Sequence, residues 1–192
     1  VTTATPTLAW QIAPRSRTTT VVAVVAVAAL TALAAQIRIP LPGSPVPITG
    51  QTFAVLLGGA ALGWRAGGAS QLLYLALGAV GLPVFTEASG GIDVLYGATG
   101  GYLVGFVFAA ALVGWLAEQR WERRVLPALV TFGTGNLVIY ALGVPWLMYV
   151  TGWGFGEAVT KGALVFVVGD LIKIAAAAGL TPAAWKLLGR KD

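Results

Sequence analysis

Six apolar runs, punctuated by Pro, Gly and charged residues, organise this chain: residues 18–37, 48–64, 66–82, 98–117, 125–149 and 158–188. A helix needs roughly 20 apolar residues to cross the hydrocarbon of a bilayer. The pattern therefore predicts an all-α integral membrane protein with six transmembrane helices. The second run is short, and the third follows it almost at once. On this pattern residues 1–17 form a cytoplasmic N-terminal tail, 18–188 the six-helix transmembrane domain and 189–192 a C-terminal tail.

The charges orient these helices. With both termini cytoplasmic, Arg15, Arg17, Arg65, Arg120, Arg123, Arg124, Lys186, Arg190 and Lys191 fall inside, Arg38 and Lys161 fall outside, and Lys173 stays within the last helix. Nine against two is the asymmetry that the positive-inside rule demands, and five or seven helices would split the basic clusters between faces. Trp64, Trp115, Trp121 and Trp185 then lie near the inner boundary, Trp146 and Trp153 near the outer one, as an aromatic belt requires. The first run is long for a signal-peptide core and Ala34, Ala35 and Gln36 make a poor cleavage site, so no cleavable leader is expected.

Composition narrows the chemistry. Of 192 residues, 57% are hydrophobic and 10% charged, with a mean hydropathy of +0.84, whereas about a quarter of a soluble domain is charged. Little chain remains for a separate soluble domain. With Cys 0 and His 0, disulfides, thiol nucleophiles, histidine metal sites and imidazole acid/base chemistry are all excluded, and no metal site is expected. The net charge of +5 is scattered between apolar runs, which argues against nucleic acid as a partner and for membrane orientation. No P-loop pattern, and no G-x-G-x-x-G after a strand, is present, so uphill movement of a ligand would need energy from a partner or a gradient.

The external connections are the unusual ones. Segment 37–51, IRIPLPGSPVPITGQ, carries Pro40, Pro42, Pro45 and Pro47, which forbid a helix and stiffen an extended lid across a bundle mouth. Segment 83–101, PVFTEASGGIDVLYGATGG, is Gly-rich and lacks Lys and Arg; it suits either a flexible connector or a loop whose backbone approaches a ligand. Within the helices a charge at bilayer depth costs about 3 kcal/mol or more unless paired or wet. Asp170 and Lys173 are such charges, three apart on one face of VFVVGDLIKIAAAAGL, with Phe166 one turn before and Ala177 one turn after. They either neutralise each other or together grip a small polar ligand, the carboxylate accepting from N–H groups and the ammonium donating to a carbonyl or carboxylate.

Asn136 and Tyr140 form an i, i+4 pair on the fifth run, suited to interhelical hydrogen bonding or to ligand contact. Thr99 and Tyr102 share a face at the start of the fourth, and Gln51 opens the second. Polar groups from four helices thus converge on the external half, describing a pocket open outward. In the first run Ala28 and Ala32 make a small-xxx-small pair that lets another helix approach closely, within the bundle or from a partner.

From about residue 18 to about 185 the chain resembles BioY, the biotin-specific substrate-binding (S) component of energy-coupling factor (ECF) transporters. The resemblance rests on five ordered motifs: PGSPVPITGQTFAVLLGGAALG, LLYLALGAVGLPVF, GATGGYLVGF, NLVIYALGVPWL and GDLIKIAAAA. It implies a six-helix S-component bundle in the cytoplasmic membrane of a prokaryote, multi-pass and lipid-embedded, that captures biotin at its outer side. It further implies a transmembrane coupling protein and two ATP-binding cassette subunits as partners, with ATP used by them and no cofactor in this chain. Asp170 and Lys173 match the family's Asp and Lys in the last helix and would contact polar groups of biotin. Tyr96, Tyr102, Tyr140 and Phe166 are candidates for the walls around the bicyclic ring. The loop with Ser89, Gly90 and Gly91, and the lid through Thr49 and Gln51, would close over it. Ala28 and Ala32 fall where the family has its small-residue coupling motif. Loop 83–101 carries Glu87 and Asp93 and no basic residue, so Arg38 and Lys161 are the external cations left for the carboxylate of the vitamin.

The expected function is therefore high-affinity biotin uptake without catalysis. An S component for another small vitamin is the alternative. An intramembrane enzyme would need an acidic metal cluster or a nucleophile and base, and one carboxylate at depth does not supply these. A structural subunit would leave Asp170 and Lys173 without a purpose.

Overall fold

Each apolar run contains helix in the computed structural model, which describes residues 6–189. Residues 1–5 and 190–192 of the expected tails, with Arg190 and Lys191, lie outside the described residues. In chain order the elements are α1 (Leu8–Ile12), α2 (Arg17–Ala35), β1 (Arg38–Ile39), β2 (Ile48–Thr49), α3 (Gln51–Leu62), α4 (Trp64–Ala79), α5 (Ile92–Tyr96), α6 (Gly100–Glu118), α7 (Val125–Thr151), α8 (Phe155–Gly162) and α9 (Val167–Leu188). Among the described residues four stretches are long and apolar enough to cross a membrane: α2, α6, α7 and the stretch Phe155–Leu188. The chain is a mostly helical, multi-pass membrane protein.

The remaining two runs make shorter helices. α3 has 12 residues and α4 has 16, about 18 and 24 Å at 1.5 Å per residue, less than the roughly 30 Å of hydrocarbon. Gly63, at φ +83°, separates them by a single residue, and a Cβ there would lie 2.4 Å from Glu118 Oε1. Only glycine permits so sharp a reversal so close to α6.

α6 is the central post, packed against α3, α4 and α7. Small residues allow the approach: a Cβ on Gly59 would sit 2.5 Å from the carbonyl oxygen of Ala110, and one on Gly114 would sit 2.4 Å from the carbonyl carbon of Gly63. Without a hydrophobic force between helices in lipid, such contacts supply the association energy through packing. α2 begins at a capping box in which the side chains of Ser16 and Thr19 each accept the other's backbone N–H. Its Ala28, Thr31 and Ala35 face the bundle, where Thr31 Oγ1 accepts from Gln71 Nε2 at 3.2 Å. Ala28 is fully enclosed and Ala32 packs against the core, while Val21, Val22, Val25, Leu30 and Leu33 face outward.

The structure corrects one expected span. The sixth run is not one helix from 158 to 188. α8 ends at Gly162, Ala163 leaves helical geometry at φ −136°, and a 3-10 turn over Leu164–Phe166 leads into α9. Tyr102 Oη donates to the Gly162 carbonyl at 2.7 Å, taking up an acceptor that a continuous helix would use itself. Within residues 1–17, α1 docks under α3, with Thr7 Oγ1 donating to Ala61 O at 2.7 Å and Trp10 Nε1 to Leu62 O at 2.9 Å.

The α6–α7 turn is pinned to the same end of the bundle. Glu122 is completely buried, and its Oε1 accepts from Trp185 Nε1 of α9 at 2.8 Å. The Arg123 guanidinium lies 3.7 Å over the Trp185 ring and donates to Pro6 O. Arg65, Arg120, Arg123 and Arg124 therefore gather at one end, and the β1–β2 hairpin at the other.

Burial pushes the Glu122 carboxyl above the usual carboxylate range, opposed by its hydrogen bonds and by Arg123. A carboxyl with a raised folded-state pKa destabilises once ionised. Its contribution to stability is thus present at acidic pH and is lost as pH rises from the ordinary carboxylate range toward the raised value. Detergent-solubilised protein should melt at a lower temperature at pH 8 than at pH 5, by tryptophan fluorescence, and Glu122→Gln should reduce that difference. An undiminished slope in the variant would dismiss this account.

Candidate ligand-binding site

Asp170 sits one turn into α9, buried against α7, at the base of a cavity of about 240 Å³. The break before α9 sets this position, turning Phe166 and Asp170 inward while Val167, Val168, Leu171 and Ile172 face out. Three groups satisfy the carboxylate. Lys173 Nζ approaches Oδ1 at 3.0 Å, Asn136 Nδ2 donates to Oδ2 at 2.9 Å, and Tyr140 Oη also donates to Oδ2. Lys173 also donates to Thr52 Oγ1 of α3 at 3.0 Å. Asn136 Oδ1 is buried with no protein partner among the described residues.

Asp170 and Lys173 are therefore paired with each other, and they also line the cavity. A lone buried charge would cost several kcal/mol, so the pair with its two neutral donors is what allows a carboxylate here. Asp170, Lys173 and Thr52 present acceptors and a donor from the base, while Tyr102, Phe106, Tyr140 and Phe166 form an aromatic wall. The cavity suits a small molecule with a polar, hydrogen-bonding end and a compact apolar body, at the small end of ligand cavities.

The lid is a two-stranded antiparallel hairpin rather than a plain extended strap, Arg38 opposite Thr49 and Ile39 opposite Ile48. The prolines stay in its connection, and Pro45, Val46, Pro47 and Ile48 line the cavity. Ser44 Oγ donates to Lys161 O at 2.8 Å, tying the hairpin tip to α8. The Gly-rich loop meets the hairpin across the mouth. Gln36 Nε2 donates to Phe85 O at 3.0 Å and its Oε1 accepts from Ala88 N at 3.0 Å, while Arg38 and Glu87 form an ion pair. Gln51 joins both, donating to Tyr74 Oη at 2.7 Å and accepting from Thr49 at 2.9 Å and Thr86 at 3.4 Å. Below them Tyr74 and Phe85 pack edge to face at 5.4 Å.

Of the residues singled out from sequence, Asp170, Lys173, Thr49, Gln51, Ser89, Thr99, Tyr102, Tyr140 and Phe166 all border this one cavity. Asn136 stands behind it, orienting Asp170. Five others lie elsewhere. Tyr96, at the end of α5, is 67% exposed on the outer surface. Gly90 and Gly91 do not border the cavity: a Cβ on Gly90 would lie 2.3 Å from Leu82 O, and Gly91, at φ +107°, donates its N–H to Gly78 O at 2.7 Å. Ala28 and Ala32 pack within the bundle. Arg38 borders the cavity as one of the two expected external cations, whereas Thr52, Gln36 and the pairing of Arg38 with Glu87 were not expected at the site. Thr52, a second polar residue opening an otherwise apolar helix, carried a usable signal, and Gln36 carried none.

The pattern of the BioY family matches residues 6–190. A protein named biotin transporter BioY, from Thermotoga maritima, is 43% identical over 146 residues, covering 76% of this chain and 83% of that protein. One named probable biotin transporter BioY, from Pyrococcus horikoshii, is 42% identical over 146 residues with the same shares, 76% and 83%. Among solved structures, the S-component for biotin from an ECF-type ABC transporter superposes with a TM-score of 0.78 at 25% identity, over 88% of this chain and 92% of that one. A family pattern running almost end to end, relatives above 40% identity and a shared bundle agree: the chain belongs to the BioY family.

Proposed function

We propose that this chain is the substrate-specific component of an ECF-type transporter and that its cargo is biotin. The observation that carries the reading is the buried Asp170–Lys173 pair at the base of an apolar, aromatic-walled cavity beneath a tethered lid. The ureido ring of biotin has two N–H donors and one carbonyl acceptor, which match a carboxylate beside an ammonium and a threonine hydroxyl. In the proposed pose one ureido N–H faces Asp170 and the carbonyl faces Lys173 and Thr52. The fused rings lie against Tyr102, Tyr140 and Phe166, and the valerate chain runs to the mouth.

The carboxylate of that chain needs a cation, and Arg38 borders the cavity at the mouth with Glu87 as its present partner. We assign Arg38 to the ligand carboxylate, which would take the place of Glu87. Loop 83–101 offers no basic residue for the purpose.

In the membrane, α3 and α4 complete six crossings, with the bilayer thinned or the helix ends wetted around them. By the positive-inside rule the end bearing Arg65, Arg120, Arg123 and Arg124 faces the cytoplasm, and the cavity opens on the far side of the cytoplasmic membrane. A coupling protein and ATP-binding cassette subunits supply the energy. Because Ala28 is enclosed, a partner helix on α2 would meet the outward face of Ala29, Leu30 and Leu33.

Protein purified in detergent from cells grown on biotin should retain the vitamin, identified by mass spectrometry. Calorimetric displacement by thiamin or riboflavin, and not by biotin, would overturn the cargo. Lys173→Met should weaken binding by about 2 kcal/mol or more, roughly thirtyfold, since Asp170 loses its counter-ion; Asp170→Asn should also cause a severe loss. Unchanged affinity in both would reduce the pair to a structural tie. Arg38→Gln should weaken biotin by about 1.4 kcal/mol, tenfold, and leave biotin methyl ester unaffected. Equal losses for acid and ester would remove Arg38 from carboxylate recognition.

A further inference from the structure

A second cleft, of about 620 Å³, opens where the 120–124 turn enters α7, at the end of the bundle away from the ligand cavity. Arg120, Arg123 and Arg124 stand around it with Trp121, and Leu126, Pro127 and Val130 continue it down the side of α7. Tyr140 lies ten residues beyond Val130 along that helix, about 15 Å away. We propose that this cleft binds the phosphate of an anionic phospholipid, its acyl chain lying along α7.

Three features of the cleft favour a phosphate. Arg120 and Arg124 are exposed and have no ion-pair partner among the described residues. Arg123 is held in place by the Trp185 ring at 3.7 Å, while its Nε, 3.9 Å from Glu122 Oε1, is buried without a hydrogen bond. Burial and the nearby positive charge of Arg120 both disfavour the Arg123 guanidinium, and Glu122 offsets them only partly; an anion in the cleft would relieve the repulsion. Third, α7 is 27 residues long and starts here with no side-chain cap, so the N–H groups of Val125 and Leu126 are free of a cap and the positive end of the helix dipole lies at this end, beside Arg124.

The apolar side distinguishes a lipid from a soluble phosphate. Leu126, Val130 and Leu137 are 76%, 52% and 65% exposed and fall on one stripe of α7, at i, i+4 and i+11. A free phosphate gains nothing from that stripe, whereas a lipid lays a chain on it while its headgroup meets the arginines. Basic pockets at the cytoplasmic boundary hold acidic headgroups for this reason.

The test is native mass spectrometry of the full chain in detergent with added phosphatidylglycerol or phosphatidylcholine. Retention of phosphatidylglycerol should exceed that of phosphatidylcholine at least tenfold. R120Q/R124Q should abolish that preference with biotin binding intact, and R15Q/R65Q, whose arginines lie outside the cleft, should keep it. R124Q alone, expected to lose the preference at least threefold, decides the matter if the double variant melts early. L126S/V130S should also release the lipid, and glycerol phosphate should not displace it. Equal loss in R15Q/R65Q would mean a general charge effect, and displacement by glycerol phosphate a soluble-phosphate site. Unchanged lipid retention in R120Q/R124Q with loss of assembly onto the partner subunits would mean a protein-docking surface. Each of these three results overturns the proposal.

Discussion

One carboxylate governs this bundle. Asp170 can remain buried only because Lys173, Asn136 and Tyr140 converge on its two oxygens from α9 and α7. Lys173 carries the same constraint on to Thr52 of α3. Three helices are thus held in register by a single polar cluster, where otherwise only weakly directional apolar packing would act. The same cluster forms the polar base of the cavity, so what fixes the fold locally also makes the site selective.

The mouth is organised by a second set of ties with a different character. Gln36, the buried Gln51 and the exposed Arg38–Glu87 pair connect the hairpin region to the loop by side-chain contacts. Exposed ion pairs contribute about 0–1 kcal/mol each, so the closure can be opened without disturbing the buried base. A rigid base under a weakly latched cover is what a protein needs if it must enclose a small molecule and later release it. Glu87 and Ala88 adopt positive φ at this point, an uncommon backbone for residues with a Cβ, which places strain at the cover rather than at the base.

The two ends of the bundle are chemically distinct. One gathers the hairpin, the Gly-rich loop and the cavity. The other gathers the arginines, the buried Glu122 and the Trp185 contact that pins the α6–α7 turn. Between them α6 holds its neighbours through glycine and alanine contacts that leave no room for side-chain rearrangement. Opening at one end is therefore more readily pictured as movement of the cover than as repacking of the centre.

The membrane class, the positions of the apolar runs, the pairing of an acid and a base on one face of the last helix and the existence of a proline-stiffened lid were legible in the amino-acid sequence. Each follows from local properties: apolar run length, three-residue helical spacing and the exclusion of helix by proline. The family motifs also pointed to the site residues that border the cavity. Tertiary structure decided which way each helix turns about its axis and which groups meet across elements. It sent Tyr96 to the surface and Ala28 inward, placed Asn136 and Tyr140 on Asp170, added Thr52 and brought Arg38 to Glu87 across the mouth. It also broke the last run at Ala163, where Tyr102, sixty residues away, bonds the Gly162 carbonyl. Periodicity records that a face is apolar or polar, but not which neighbour it meets, because that depends on the close packing of residues far apart in the chain.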